Sequence, residues 1–219
     1  MSWAEIKRAI NSRVGRKNFA PLDKIIDDGL NDNLYELCNI FADSIGDILV
    51  VPRIESIPDY QYKNTNFKSV VFPKELKNIG AEAFDDCYQL KRIRIPNSVT
   101  SIGRSAFSEC SSLESIQIGS GVENIPEYMC SGCYDLLSVR ISNGTKTIGK
   151  NAFYGIGITT IFLPSTIETI SQYAFFSAAS VESLNVYYEG TEEQWQNINF
   201  EIGNGRLESA HVNYNYTGE

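Results

Sequence analysis

The sequence has little of what most catalytic and metal sites are built from. Among its 219 residues there are one histidine, His211, and five cysteines. A catalytic triad would have to use that one imidazole, and a histidine-rich metal site cannot be assembled around it. An odd number of cysteines in a chain of this length favours free thiols over a disulfide framework. We therefore expect a protein that is not an enzyme and that needs no metal or other cofactor.

Long apolar runs and an excess of basic charge are also lacking. No stretch approaches the roughly 20 consecutive apolar residues that a membrane span requires. Residues 1–8 turn polar at once and lack the apolar run and cleavage site of a Sec signal peptide. The formal net charge of −8 disfavours a general nucleic-acid binder, whose affinity comes from lysine and arginine. The sequence predicts neither a membrane span nor a nucleic-acid partner.

A repeat of 22 to 23 residues organises most of the chain. An isoleucine followed by glycine, proline or serine recurs with spacings of 23, 23, 23 and 22 residues, at Ile79, Ile102, Ile125, Ile148 and Ile170. Five residues after each anchor lie Phe84, Phe107, Cys130, Phe153 and Phe175. No single repeat can bury this much apolar surface, so stacked repeats must share one core.

A second frame of the form L-x-x-I-x-I predicts one short strand per repeat. Its alternation directs the paired apolar residues inward, at Ile93/Ile95, Ile116/Ile118, Val139/Ile141, Ile161/Leu163 and Leu184/Val186. The Gly-x-x-Ala-Phe stretches at residues 80–84, 103–107 and 149–153 predict a single helical or 3₁₀ turn opposite the strand. Leu49 and Val51 suggest a degenerate first repeat.

The unit x-x-I-x-I-P-x-S-V-x-x-I-G-x-x-A-F-x-x-C-x-x-L, read from Arg92 to Leu113 with small changes, resembles the BspA-type bacterial leucine-rich repeat. The resemblance implies an α+β solenoid with one parallel β-strand per repeat and short helical turns opposite. It also implies binding to proteins or host surfaces. We assign residues 46–219 to the solenoid, with regular repeats over about 67–186. Residues 187–219 are expected to form a C-terminal cap, in which Thr191 N-caps a short helix and Trp195 covers the last layer.

Residues 1–45 lie outside the repeat and have helical character. Ser2-x-x-Glu5 is a capping box, and the first helix carries Trp3 with the basic residues Lys7, Arg8 and Arg13. This small helical module either caps the core or docks to a parent assembly through those four residues. The segment resembles leaders of phage and prophage tail-region proteins from low-GC Gram-positive bacteria. With no Sec signal peptide in residues 1–8, we expect a cytoplasmic or virion-associated protein.

Three cysteines, Cys87, Cys110 and Cys133, share one slot of the repeat because they are spaced by 23 residues. Cys130-x-x-Cys133 has the spelling of half a zinc site or a redox pair. A tetrahedral zinc site needs four converging ligands, and no second pair lies within range. We therefore interpret the three thiols as a buried packing column.

The outward side of the strands is the candidate recognition surface. Between the inward pairs lies a variable column, which comprises Val71, Arg94, Gln117, Arg140, Phe162 and Asn185. Before the pairs lies a hydroxyl-rich column, which comprises Ser69, Arg92, Ser115, Ser138, Thr160 and Ser183. We expect a protein or cell-surface ligand to contact Arg92, Arg94, Gln117, Arg140, Phe162 and Asn185. The alternative is a solvated sheet face whose arginines provide solubility and protect its edges.

Two functions are consistent with these features. The first is a non-catalytic protein-interaction or surface-adhesion module that uses the exposed strand face, as a component of a phage tail or another particle. The alternative is a cytoplasmic regulator or inhibitor that binds a protein through the same face.

Overall fold

The computed structural model describes residues 48–177 and 184–218. Its main feature is an eight-stranded parallel sheet to which successive turns of the chain each add one strand. The strands are β1 (Ile48–Val50), β3 (Ser69–Val71), β5 (Arg92–Arg94), β7 (Ser115–Ile118), β9 (Ser138–Ile141), β11 (Thr160–Leu163), β13 (Asn185–Tyr188) and β15 (His211–Asn213). The predicted parallel solenoid is confirmed, including the degenerate first strand.

A second line of two-residue strands runs beside this sheet, so the expectation of one strand per repeat was incomplete. These strands are β2 (Ser56–Ile57), β4 (Asn78–Ile79), β6 (Ser101–Ile102), β8 (Asn124–Ile125), β10 (Thr147–Ile148), β12 (Thr169–Ile170) and β14 (Asn199–Phe200). The anchor isoleucines lie in them and point inward. Glycine is required at position 103, directly after the anchor Ile102, because a Cβ there would lie 2.3 Å from the amide nitrogen of Ala81 in the preceding turn.

The segments opposite the main sheet are not helical turns, which corrects the prediction. The third residue of each Gly-x-x-Ala-Phe stretch has a left-handed backbone, with φ of 51° at Glu82, 55° at Ser105 and 54° at Asn151. Such residues break the helical hydrogen-bond pattern. Their amides instead donate to the following turn, for example from Glu82 N to Arg104 O at 2.9 Å. Four residues later a second left-handed column contains Asn64, Asp86, Glu109, Gly132 and Gly155.

An aromatic column fills the interior, as the spacing predicts. The rings of Phe84 and Phe107 stack at 5.2 Å between centroids, and those of Phe153 and Phe175 stack at 5.1 Å. All four side chains are buried, and so is Cys130, which takes the corresponding place between them. The column therefore belongs to a single continuous core shared by successive turns.

The C-terminal segment closes the last turn with two short helices, α1 (Glu192–Gln196) and α2 (Gly205–Glu208). Thr191 caps α1 as predicted: its hydroxyl accepts from the Gln194 amide, and the Gln194 side chain accepts from the Thr191 amide. Trp195 is buried and packs against Tyr188 and Phe200. The predicted N-terminal helical module at residues 1–45 lies outside the described residues.

A buried asparagine in this segment, Asn204, substitutes for a further backbone turn. Its Oδ1 accepts from the Phe175 amide at 3.1 Å. Its Nδ2 donates to the carbonyl oxygens of Ser171 at 2.9 Å and Glu201 at 2.8 Å. The side chain is thus hydrogen-bonded as a backbone amide would be in a regular repeat.

Removal of one interior ring tests the core. We expect Phe107→Ala to lower the free energy of unfolding by about 3 to 5 kcal/mol, because it leaves a cavity between stacked turns. Urea denaturation measures this change. Tyr134→Ala, at an aromatic side chain that is 61% exposed, should stay within about 0.5 kcal/mol of the wild type. A loss below about 1 kcal/mol for Phe107→Ala would contradict the assignment of the column to the core.

Asn204→Leu tests whether the side-chain hydrogen bonds of Asn204 hold the last turn. The substitution leaves the buried Phe175 amide without its acceptor and removes one donor from each of the Ser171 and Glu201 carbonyls. We expect a loss of about 2 to 4 kcal/mol. Asn199→Ala, at an exposed asparagine of β14, is the control and should change stability by about 0.5 kcal/mol or less. Equal effects of the two substitutions in thermal melts would show that the Asn204 amide does not hold the last turn.

Candidate functional site: the exposed strand face

The main sheet presents one side to the core and the other to solvent. In β7 and β9 the pattern is strict: Ile116, Ile118, Val139 and Ile141 are buried, and the residues between them are partly exposed. The register pairs Arg94 with Gln117 and Gln117 with Arg140 across β5, β7 and β9. Both predicted columns therefore exist as rows of neighbouring outward side chains along this stretch of the sheet.

The register of β13 differs from the predicted one by two residues. Asn185 pairs with Thr160, and Tyr187 pairs with Phe162. Asn185 therefore lies in the hydroxyl-rich column, and Tyr187 takes the place in the variable column that the sequence assigned to Asn185. A slip of two residues keeps the same side chains outward, so alternation alone cannot detect it. Ser183, expected in the hydroxyl-rich column, lies outside the described residues.

An aromatic cluster, comprising Phe162, Tyr187 and Tyr216, occupies the C-terminal part of this face. Phe162 and Tyr187 stack at 4.9 Å between ring centroids. Tyr216 leans against both, at 5.4 Å from Phe162 and 5.0 Å from Tyr187. All three rings remain partly exposed. Of these three residues only Phe162 was predicted from the sequence, although the alternating tyrosines Tyr214 and Tyr216 were an available signal for Tyr216.

Three predicted arginines lie on the face, but in different surroundings. Arg92 is the most exposed, with 67% of its side chain accessible and the Glu114 carboxylate 3.8 Å away. Arg94 is half-buried in β5. Arg140 places its guanidinium carbon 3.6 Å from the centroid of the Phe162 ring. The three arginines therefore lie in two places: Arg92 and Arg94 lie on β5, and Arg140 lies against the aromatic cluster.

The charge on the face has one sign. In the eight described strands of the main sheet, the outward residues include three arginines and no carboxylate. The whole chain, by contrast, is acidic. Carboxylates flank the face instead. Glu189 follows β13, and burial raises the pKa of its carboxyl group, while Arg140 and the Ser165 amide oppose that increase.

His211 lies at the edge of the face, exposed and paired with Asn185 in the register of β15. Within residues 48–177 and 184–218, no three histidine, cysteine or acidic side chains are grouped so that they could hold a metal ion. In the same ranges no helix has the length and apolar character needed to cross a membrane. The docking residues Trp3, Lys7, Arg8 and Arg13 lie outside the described residues.

The cysteine column is buried behind the turns, as predicted. Cys110 donates its thiol hydrogen to the carbonyl oxygen of Phe84 at 3.3 Å, and Cys133 donates to that of Phe107 at 3.2 Å. Both thiols thus bond to the aromatic residue of the preceding turn. The neighbouring Cys133 thiol, and then burial, raises the pKa of Cys110, and burial is the largest cause of the raised pKa of Cys133. Neutral, inaccessible thiols serve packing rather than nucleophilic chemistry.

These raised pKa values make the stability of the fold depend on pH. Cys110 and Cys133 stay protonated in the folded state, whereas unfolded thiols ionise above about pH 8.5. We expect stability to be independent of these groups below that pH and to fall above it, by about 1.4 kcal/mol per pH unit for each thiol, up to about pH 10. Urea denaturation at several pH values measures the slope.

A variant with both Cys110→Ala and Cys133→Ala is the control for this slope. It should be less stable at neutral pH because of the cavities, but its stability should fall less steeply above about pH 8.5. An identical slope in the variant and the wild type would contradict the buried, neutral state of the two thiols.

The sequence matches the family described as BspA type Leucine rich repeat region (6 copies) over residues 55–182. That match begins at residue 55, so it has no bearing on the resemblance of residues 1–45 to phage tail-region proteins. No curated protein matches the chain significantly.

Several solved structures are similar to the chain. A leucine rich cell surface protein from Faecalibacterium prausnitzii is 20% identical over 72% of this chain and 63% of that one, with a TM-score of 0.49. A leucine-rich repeat protein from Bacteroides ovatus is 19% identical over 77% and 55%, with a TM-score of 0.43. The T. pallidum leucine rich repeat protein is 29% identical over 46% and 48%, with a TM-score of 0.42. The chain spans less than two thirds of the length of each of these proteins.

Proposed function

This chain belongs to the BspA type leucine-rich repeat family, and from that premise we propose that it is a non-catalytic protein-interaction or surface-adhesion module. Its partner is a protein or a cell-surface ligand that binds the exposed strand face. Solenoids of stacked repeats create an extended, rigid surface of this kind, and repeat proteins commonly bind through it.

The observation that carries this proposal is the separation of charge. The outward residues of the described main-sheet strands bring arginines and aromatic rings together without a carboxylate among them. A face that only needed to be soluble would gain from mixed charges and from few exposed rings. Arginine, tyrosine and phenylalanine are the residues that protein interfaces favour over the rest of the surface.

Two further parts of the proposal rest on the sequence of residues 1–45. Docking to a parent assembly such as a phage tail would use Trp3, Lys7, Arg8 and Arg13. A cytoplasmic or virion-associated location goes with that role. A cytoplasmic regulator or inhibitor that uses the same face is the second candidate, and the charge separation supports it equally.

Photo-crosslinking identifies the partner and the face together. A photoreactive amino acid at Ser138, in the centre of the hydroxyl-rich column, should crosslink to a discrete partner in source cells. The same group at Ser108, in a turn opposite the sheet and also half-buried, is the matched control. Equal crosslinking from both positions would contradict recognition by the strand face.

The combined change Arg92→Glu and Arg94→Glu tests the contribution of charge to capture of that partner. We expect binding to weaken by at least about tenfold and thermal stability to stay within about 1 kcal/mol, because these side chains are outside the core. Lys77→Glu with Lys150→Glu makes the same change of charge at exposed sites off the strand face and should leave binding nearly unchanged. Binding that survives the arginine variant with unchanged salt dependence would exclude the β5 end of this face as a contact.

A further inference from the structure

The aromatic cluster and Arg140 form a surface that does not include the two arginines of β5. Phe162, Tyr187 and Tyr216 are in mutual contact, with centroid distances between 4.9 and 5.4 Å. Arg140 of β9 pairs with Phe162 of β11 in the sheet register, and its guanidinium lies over the Phe162 ring. Aromatic rings packed together at a partly exposed sheet face are apolar surface whose burial by a partner is favourable.

The position of Arg140 fixes what it can bind. The guanidinium carbon of Arg140 lies over the Phe162 ring, 3.6 Å from its centroid, which is the stacking distance that arginine adopts on aromatic faces. A stacked guanidinium keeps its N–H donors at its edge, where a carboxylate can reach them. A guanidinium held in this way loses little freedom when it binds a carboxylate through two parallel hydrogen bonds.

We propose that Arg140 and the aromatic cluster are the docking site for a protein segment that carries carboxylates beside apolar side chains. This inference rests on the proposed function and places its main binding contacts at β9 to β13, while Arg92 and Arg94 contribute charge at the β5 end of the same face. The basic sign of the face complements an acidic segment, and the cluster supplies contact area for its apolar residues.

The apolar part of the surface favours a protein over an anionic polysaccharide. A sulfated or phosphorylated polymer would bind mainly through its charge, and its affinity would depend on the number of basic residues. Here a single arginine stacks on Phe162, which is one ring of a three-ring cluster, and Glu189 lies near enough to interact with the charge of that arginine. A carboxylate beside the site would weaken the binding of any polyanion, and it competes with a partner carboxylate for Arg140.

The experiment selects peptides from a displayed random library on the full-length protein and measures their affinity by fluorescence polarisation. We expect the selected peptides to combine aspartate or glutamate with apolar residues. Tyr187→Ala and Tyr216→Ala should weaken their binding by at least about tenfold, as central interface contacts do. Arg140→Gln should weaken it and flatten its salt dependence, while Glu189→Gln should strengthen it by removing the competing carboxylate.

The chain offers a matched control on the turn side. Arg104 stacks on Tyr128 at 4.7 Å, so Arg104→Gln and Tyr128→Ala remove an equivalent cation and ring outside the strand face. Neither should change the affinity of the selected peptides. Tyr216 follows the last strand, so Tyr216→Ala keeps the test informative if Tyr187→Ala lowers the melting temperature.

The outcomes separate this inference from the proposed function. Peptides that lose affinity in the Arg92→Glu, Arg94→Glu variant but not in Tyr216→Ala, Tyr187→Ala or Arg140→Gln overturn the docking site and leave the strand face as the binding surface. Peptides indifferent to every strand-face variant, or no selected peptide at all, overturn both. Dextran sulfate that binds as tightly as the peptides, with the same loss in Tyr187→Ala, overturns the assignment to a protein partner.

Discussion

Backbone hydrogen bonds between successive turns are the constraint on which the structure depends. In the segments opposite the main sheet, alternate amides donate to the following turn, as Phe84 does to Ala106 and Phe107 to Met129. A buried amide without a partner is costly, so each turn requires the next one. The apolar columns follow from this stacking, because equivalent residues of consecutive turns are brought into contact whether they are phenylalanines or cysteines.

The period of the sequence predicted the features that recur in every turn of the solenoid. It did not predict features that depend on the backbone conformation of single residues. Spacings of 22 to 23 residues were sufficient to place the strands, the stacked phenylalanines and the thiol column, since those features depend on the same position in each turn. The predicted helical turn was wrong because left-handed residues at Glu82 and Ser105 send their amides out of the segment. The sequence did contain a signal for left-handed backbone, because asparagine, aspartate and glycine predominate in the second left-handed column.

The candidate site shows the same division between repeated and local features. Alternation correctly placed Arg94, Gln117 and Arg140 outward, but it could not detect a shift of two residues in β13. Tyr187 was missed for that reason, and Tyr216 because it contacts the face from beyond the last strand. The chemistry along the face consequently changes from charged at β5 to aromatic at β11 and β13, and this change distinguishes the two ends as binding surfaces.

The one-way hydrogen bonding of the turn segments has an electrostatic consequence. The alternate amides that follow the first glycine of each turn segment, such as those of Glu82, Phe84 and Asp86, donate toward the C-terminus. The dipoles of these peptides therefore add along the solenoid axis, with the positive end at the last turn. Successive right-handed and left-handed residues form concave arrays of amides that attract anions. The protein fills that array with its own groups: the Glu201 carboxylate accepts from the Gln172 amide at 3.0 Å, beside the carbonyl of Ile202 and the Oδ1 of Asn204. The positive end of this dipole strip is therefore neutralised by a carboxylate of the same chain.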